Sequence, residues 1–141
     1  MATTEHYAII ALDIGDKRIG VAHVDTEVRL PVAYGTLEVD GLEIERLREI
    51  ITEVEPALIV VGYPRNQQGE PTAQTRKIVQ YVERLASLRV PMVYQDESLT
   101  SVLAEDYLKS LHKPYSRGDI DAHAAAIILG DYLEAHFGKA A

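Results

Sequence analysis

Five short segments of the chain carry the apolar, β-branched patterns typical of β-strands. They are residues 7–14, 18–24, 33–39, 57–61 and 92–95. The first and fourth are almost continuously apolar, as expected of buried strands. The turn Gly15-Asp16-Lys17 joins the first two segments, which indicates a hairpin. The third segment follows Pro31, and we expect it at an edge of the sheet.

Apolar residues spaced three and four apart predict helices between and after these strands. Asp40 and Glu43 have the spacing of a capping box, so we expect a helix to begin there and to end at Pro56. Further helices are expected over residues 72–88, over residues 101–111, and in a last segment capped by Asp119. Residues 62–71 and 113–118 are predicted loops.

The resulting order, β-β-β-α-β-α-β-α, predicts an α/β fold with a mixed five-stranded sheet. We expect antiparallel pairing on one side of the sheet, parallel pairing on the other, and helices on both faces. The 141 residues are close to the usual size of one domain, so we expect residues 1–141 to form a single domain.

Composition narrows the class of protein. Apolar residues make up 47% and charged residues 26%, which are ordinary globular values and exclude a disordered tail or a fibre. No apolar run exceeds six residues, so we expect no membrane span. The chain has no cysteine, which excludes disulfides and thiolate chemistry, and its first residues lack the basic region of a secretory signal. We therefore expect a cytoplasmic protein.

The net charge of −8 argues against a protein that binds nucleic acid over its whole surface. The charge is unevenly distributed, however, with a balance of −5 over residues 38–55 and +3 over residues 64–89. The molecule can therefore present one basic face. The acidic stretch is equally typical of a solvated helix face.

Three carboxylates fall at the ends of predicted elements. Asp13 lies in an apolar strand, where a buried carboxylate needs a cation or several hydrogen bonds. Asp96 and Glu97 follow the fifth strand, and because side chains alternate, only one of them can easily point toward Asp13. Asp121 is expected in the first turn of the last helix, whose small residues let it lie close to the sheet.

Carboxylates brought together repel one another, and divalent cations between them relieve that repulsion. Oxygen ligands favour Mg²⁺ or Mn²⁺ over zinc. Two such ions would activate a water and stabilise the leaving oxygen in phosphodiester hydrolysis, which predicts a two-metal-ion nuclease. Each residue also has a structural interpretation: Asp13 in a hairpin turn, Glu97 as a loop cap, and Asp121 as a favourable charge near a helix N-terminus.

Basic and amide side chains near the predicted loops are candidates for binding phosphates. They are Lys17, Arg18, Arg65, Asn66, Arg76 and Lys77. For the loop at 62–70 the alternative is a plain strand-to-helix connection. For Lys17 and Arg18 the alternative is a solvated turn. His23 and His123 are weaker candidates for ligands or bases, because His123 faces away from Asp121 on a helix.

Four blocks of the chain, in order, resemble the signatures of the YqgF/RuvX family, known as Holliday junction resolvase-like or pre-16S rRNA nuclease. They are Leu-Asp-Ile-Gly-Asp-Lys-Arg-Ile-Gly-Val-Ala at 12–22, Ile-Val-Val-Gly-Tyr-Pro-Arg-Asn at 59–66, Asp-Glu-Ser-Leu-Thr-Ser at 96–101, and Asp-Ala-His-Ala-Ala-Ala-Ile-Ile-Leu at 121–129. The resemblance extends over about residues 7–133. Three departures stand out: Asp16 where threonine is common, Ser98 where arginine is usual, and a shorter, less basic 113–118 stretch.

The resemblance implies a ribonuclease H-like fold and a catalytic, metal-binding triad of Asp13, Glu97 and Asp121. It also implies a bacterial cytoplasmic protein that matures the 5′ end of 16S rRNA, with pre-16S rRNA and ribosomal subunit precursors as partners. Cleavage of branched DNA at Holliday junctions is the related alternative, and it requires a homodimer where RNA trimming needs only a monomer.

Two other classes compete with the nuclease interpretation. A ribosome-assembly factor would keep the fold and bind nucleic acid without cutting it. A sugar-kinase or actin-like ATPase can also open with Asp13-x-Gly15, but those proteins need two such domains and 141 residues supply one.

Overall fold

The computed structural model describes residues 6–64, 70–97 and 100–138. Five strands form one sheet in the order β3-β2-β1-β4-β5. The strands are β1 (Ala8–Ile14), β2 (Arg18–Asp25), β3 (Val32–Glu38), β4 (Pro56–Pro64) and β5 (Met92–Glu97). The β1–β2 and β2–β3 pairs are antiparallel, whereas the β1–β4 and β4–β5 pairs are parallel. The predicted mixed sheet and the edge position of the third strand are confirmed.

Four helices in the described ranges accompany the sheet. They are α1 (Glu43–Val54), α2 (Ala73–Arg84), α3 (Thr100–Ser110) and α4 (Arg117–Phe137), and a 3₁₀ turn (Leu85–Leu88) follows α2. Both α3 and α4 follow β5, which confirms the two helices predicted there; the order of eight elements omitted one of the two. No helix in the described part of the chain combines the length and the apolar character that crossing a lipid bilayer demands.

The predicted capping box of α1 is wrong. The residue before the helix is Leu42, which makes no side-chain cap. Asp40 instead accepts a hydrogen bond from the backbone N–H of Leu42 at 3.0 Å, and Glu43 accepts one from Gly41 at 2.7 Å. The two acids therefore order the loop before the helix, because each carboxylate accepts a hydrogen bond from a backbone N–H two residues away.

The predicted cap of α4 is also misplaced by three residues. Ser116 is the N-cap, its hydroxyl accepting from the backbone N–H of Asp119 at 3.1 Å. Asp119 in turn accepts from the backbone N–H of Ser116 at 2.9 Å, so it closes the capping box from inside the helix. Residues 117 and 118 are therefore helical rather than loop, and Asp121 lies in the second turn instead of the first.

Two apolar cores lie on opposite faces of the sheet, which confirms that helices cover both faces. Ile10, Leu12 and Ile14 of β1 pack in the core with α1 and α2. Ile9 and Ala11 pack in the other core, with α4. Because side chains alternate along a strand, Asp13 continues the face covered by α4.

Candidate active site

The backbone of α4 lies directly on the strand next to Asp13. In β2, Gly20 is the pairing partner of Asp13. A Cβ atom at Gly20 would lie 1.9 Å from the carbonyl oxygen of Asp121, so no other residue fits there without moving the helix. The close approach is the reason that Asp121, although 108 positions after Asp13 in the chain, reaches the same end of the sheet.

A second glycine leaves room for the carboxylate of Glu97. The structure extends β4 to Pro64, so Gly62 belongs to a strand and not to the predicted loop. A Cβ atom at Gly62 would lie 2.9 Å from Glu97 Oε2 and 3.0 Å from its Cδ. In the β1–β4 ladder Leu12 pairs with Val61, which places Gly62 beside the end of β1.

The electrostatics of Asp13 reflect this arrangement. Burial, followed by repulsion from Glu97 and Asp121, raises its pKa from 3.8 to about 7. The structure thus brings together three acidic side chains from β1, β5 and α4. A further negative charge at this place is therefore unfavourable.

Arg18 neutralises one of the three acids. Its Nε donates to Asp121 Oδ2 at 2.7 Å, and both side chains are about three-quarters buried, with 25% and 23% exposed. Sequence reasoning proposed Arg18 as a phosphate ligand and did not foresee this pair, which spans 103 positions. Among the residues that the structure describes, no three Asp, Glu, His or Cys side chains lie close enough to hold one metal ion.

The donor set nevertheless suits a hard divalent cation. All three side chains offer carboxylate oxygens, the ligands that Mg²⁺ and Mn²⁺ prefer. Because Gly62 has no side chain, the Glu97 carboxylate can lie where a Cβ atom would otherwise be, at the end of the strand. The raised pKa of Asp13 indicates a place where added positive charge is favourable. The chemistry of Asp13, Glu97 and Asp121 therefore suits such an ion. In this structure the three side chains do not form a group that could hold one, and Asp121 is paired with Arg18, so binding requires Asp121 to leave Arg18 and the three carboxylates to move together.

A cleft of about 460 Å³ adjoins Asp121. Arg18, Tyr115 and Arg117 are among the side chains that line it. Arg117 was not a predicted site residue, because it was assigned to the loop before α4. Arg117 lies four residues before Asp121 in the sequence. This spacing could have suggested it, because residues four apart lie on one side of a helix.

The remaining predicted phosphate ligands are distributed around this end of the sheet. Lys17 is exposed in the turn between β1 and β2, and Arg76 and Lys77 are exposed on α2. Lys77 Nζ lies 3.8 Å from Asp16 Oδ2. The predicted ligands Arg65 and Asn66, like Ser98, fall outside the described residues.

Each of the two histidines packs against a tyrosine ring. His123 stacks on Tyr107 with ring centroids 4.4 Å apart, and burial lowers its pKa. His23 makes an edge-to-face contact with Tyr34 at 5.5 Å. Both contacts are of the kind that aromatic rings make in ordinary packing.

Comparison with known proteins agrees with the fold and with the sequence blocks. The model of a family described as "RuvX: Holliday junction resolvase" matches residues 7–135. A "Putative pre-16S rRNA nuclease" of Chloroflexus aggregans is 39% identical over 132 residues, covering 90% of this chain and 93% of the relative. A protein of the same name from Crocosphaera subtropica is 36% identical over 135 residues, covering 92% and 94%.

A solved structure shares the fold at much lower identity. T. thermophilus RuvC in complex with Holliday junction substrate superposes with a TM-score of 0.55 at 16% identity, covering 93% of this chain and 96% of that one. The likeness confirms the expected ribonuclease H-like fold. Together with the extent of the family match and the identity to the curated relatives, it establishes that this chain belongs to the RuvX family of Holliday junction resolvase-like proteins.

Proposed function

We propose that this protein is a cation-dependent endonuclease that processes the 5′ end of pre-16S rRNA. The observation that carries the proposal is the convergence of Asp13, Glu97 and Asp121, in which burial and the two neighbouring acids raise the pKa of Asp13 to about 7. Clusters of acids with perturbed pKa values are typical of catalytic centres. The names of the curated relatives support the choice of substrate.

In this proposal the three acids hold Mg²⁺ or Mn²⁺, in the two-ion arrangement that the family resemblance implies. Bound there, the ions would supply the positive charge that assists attack of water on phosphorus and departure of the leaving oxygen. Asp13, Glu97 and Asp121 would be the residues that hold the ions. Asp13 must then be ionised, which the surroundings of this residue oppose until positive charge is present.

Under this proposal Arg18 pairs first with Asp121 and then with a phosphate of the substrate. In the structure it donates to Asp121. Arg18 also lines the 460 Å³ cleft beside Arg117, where a nucleic-acid phosphate would find two guanidinium groups. Release of Asp121 therefore frees Arg18 to bind the substrate backbone, and Lys17 and Arg76 would extend the basic surface outside the cleft.

A cleavage panel tests the proposal. Wild-type protein with Mg²⁺ or Mn²⁺ is expected to cut a pre-16S rRNA leader, and to lose that activity in excess chelator. Asp13→Asn should lose cleavage while keeping its fold by circular dichroism, whereas Asp106→Asn, an exposed acid on α3, should keep both. Cleavage that survives chelation, or full activity of Asp13→Asn, would refute the assignment.

Resolution of Holliday junctions is the second candidate, favoured by the fold shared with RuvC bound to such a junction. Symmetric cleavage of a four-way DNA junction requires two active sites, and hence a dimer. A synthetic junction in the same panel, combined with the mass in solution, separates the two functions. Binding of RNA with no cleavage of either substrate would favour a ribosome-assembly factor.

A further inference from the structure

One side of α2 presents polar and cationic side chains to a cleft on the opposite face of the sheet from the three acids. Gln74, Lys77, Tyr81 and Arg84 follow one another at spacings of three, four and three residues, so they lie on one side of the helix. They form one wall of a cleft of about 360 Å³. A cleft of this volume is within the range that takes a small organic ligand.

The cleft lies beside the end of β1, next to the position of Asp13. Ile14 and Gly15, which line it, directly follow Asp13 in the chain. Asp13 belongs to the face covered by α4, whereas Ile14 packs with α2. A nucleic-acid strand that leaves the acids across the turn between β1 and β2 would therefore meet this cleft next.

The charge of the cleft favours an anion. Lys77 and Arg84 are exposed at its rim, together with one exposed acid, Asp16. A second acid, Glu43, lies beneath Tyr81 and is only 1% exposed, so an anion that enters from solvent meets the two cations first. The side chains of Lys77 and Asp16 are 67% and 81% exposed and their charged atoms are 3.8 Å apart, so the pair is weak and readily exchanged. In a chain with a net charge of −8, two exposed cations at the rim of one cleft point to a ligand that carries phosphate.

The floor of the cleft favours an aromatic ring. Ile78 and Val39 supply apolar surface beside Tyr81. The Tyr81 hydroxyl donates to Glu43 Oε2 at 2.7 Å, and Glu43 also accepts from the backbone N–H of Gly41. Because Glu43 is only 1% exposed, this network holds the tyrosine ring in place.

The two cations lie far enough apart for each to bind its own phosphate, since their long side chains can adjust the distance between the charged groups. Lys77 and Arg84 are seven residues apart, which is about 10 Å along the helix axis. The guanidinium of Arg84 lies 5.1 Å from the centre of the Tyr81 ring. A nucleotide with a phosphate on either side can place one phosphate at each cation and its base over the apolar floor between them.

We propose that this cleft binds one nucleotide, with its two flanking phosphates, of the single strand that continues from the cleaved bond. The proposal rests on the proposed function, which supplies the strand. It makes α2 a second binding surface that holds the substrate on the far side of the sheet from the acids, and it assigns Lys77 and Arg84 to successive phosphates.

The test measures binding without catalysis. A fluorescent oligouridylate of about 12 nucleotides is titrated by anisotropy in excess EDTA against wild-type protein, Lys77→Ala, Arg84→Ala, and the control Lys109→Ala on α3. Each cleft variant should weaken binding by about threefold or more and reduce the slope of log affinity against log salt by about 0.7, the value for one lost phosphate contact on a single strand. The control should retain the wild-type slope.

A second measurement identifies the ligand. Uridine 5′-monophosphate has one phosphate, so it should compete with the oligonucleotide far more weakly than an unlabelled strand does. In NMR spectra the side-chain amides of Gln74 and Gln80, both of which line the cleft, should shift when the strand is added. Competition by the mononucleotide equal to that of the strand would overturn the proposal in favour of a site for free nucleotides.

Failure of this proposal is distinguishable from failure of the proposed function. Unchanged affinity and salt slope in Lys77→Ala and Arg84→Ala, with cation-dependent cleavage intact, would overturn the cleft and leave the nuclease standing. If the nuclease assignment is wrong, the cleavage panel shows no activity while strand binding is unaffected, since the binding assay needs no metal. A wild-type protein that does not bind the strand at all would overturn the cleft as well.

Discussion

Replacing Asp13 with asparagine should stabilise the metal-free protein at neutral and alkaline pH. Burial, followed by the charges of Glu97 and Asp121, raises the pKa of Asp13 from 3.8 to about 7. A carboxyl whose pKa is higher in the folded state holds its proton more tightly there than in the unfolded chain. Ionising it therefore reduces stability as the pH rises, which is the reverse of the behaviour of an acid in a salt bridge.

The size of this effect follows from the two pKa values. Below about pH 4 the carboxyl is protonated in both states and has no linked effect. Between about pH 4 and pH 7 the cost of ionisation grows by about 1.4 kcal/mol per pH unit, and above that it is constant. A difference of about three units corresponds to about 4 kcal/mol, a large part of the 5–15 kcal/mol by which a domain is ordinarily stable.

Urea denaturation in excess EDTA measures the effect. The difference in the free energy of unfolding between Asp13→Asn and wild type should increase from about pH 4 to about pH 7 and then level off. Asp106→Asn, at an exposed position on α3, should show no such increase. The use of a pH-dependent difference removes any constant effect of the asparagine side chain on packing or hydrogen bonds.

Added Mn²⁺ provides the second half of this experiment. It should stabilise the wild-type protein more than Asp13→Asn, because an ion that binds only the folded state raises its stability by mass action. A difference between variant and wild type that does not change between about pH 4 and pH 8 would refute the reasoning. It would mean that Asp13 is neither strongly desolvated nor close to the other acids.

Three further predictions concern the surroundings of the acids and the packing of α2. Arg18→Ala should bind Mn²⁺ about tenfold more tightly in calorimetry, because Arg18 no longer competes with the ion for the carboxylate of Asp121. Unchanged or weaker binding would contradict this. Gly62→Ala should lose about a hundredfold in cleavage, because the new Cβ would lie 2.9 Å from Glu97 Oε2 and 2.7 Å from Ile128 Cδ1. Activity near that of wild type, in a variant that is folded by circular dichroism, would show that both side chains can move freely. Tyr81→Phe should lower the free energy of unfolding by about 1–2 kcal/mol at neutral pH, because buried Glu43 loses a hydrogen bond of 2.7 Å. That hydrogen bond is the main reason that the pKa of Glu43 is lowered, so the loss should shrink as the pH falls below about 4, and a loss independent of pH would count against the interpretation.

The elements of the fold could be predicted because their causes are local. The apolar run of β1 and the alternation of β2 select strands wherever they are placed, and the turn at Gly15 joins them into a hairpin. The helix starts were less predictable. Asp40 and Asp119 are both acceptable N-caps by residue type, and only the path of the preceding loop makes Leu42 and Ser116 the residues before the helices.

The candidate acids could be found because their sequence blocks resemble those of a known family, and because a carboxylate at the end of an apolar strand needs an explanation. Their roles as metal ligands stay a prediction. The glycines that position them carry no comparable signal. Gly20 and Gly62 matter because another element approaches them closely, and neither approach is visible in their neighbours along the chain.

By itself, the sequence determined the strands, the mixed sheet and the family to which the chain belongs, because periodicity and motif are properties of neighbouring residues. Only the tertiary structure decided that Arg18 pairs with Asp121 and that the α2 side chains face a cleft next to β1. The physical reason is distance along the chain. Charge pairing and cavity shape depend on which elements pack together, and the two partners of that ion pair are 103 positions apart.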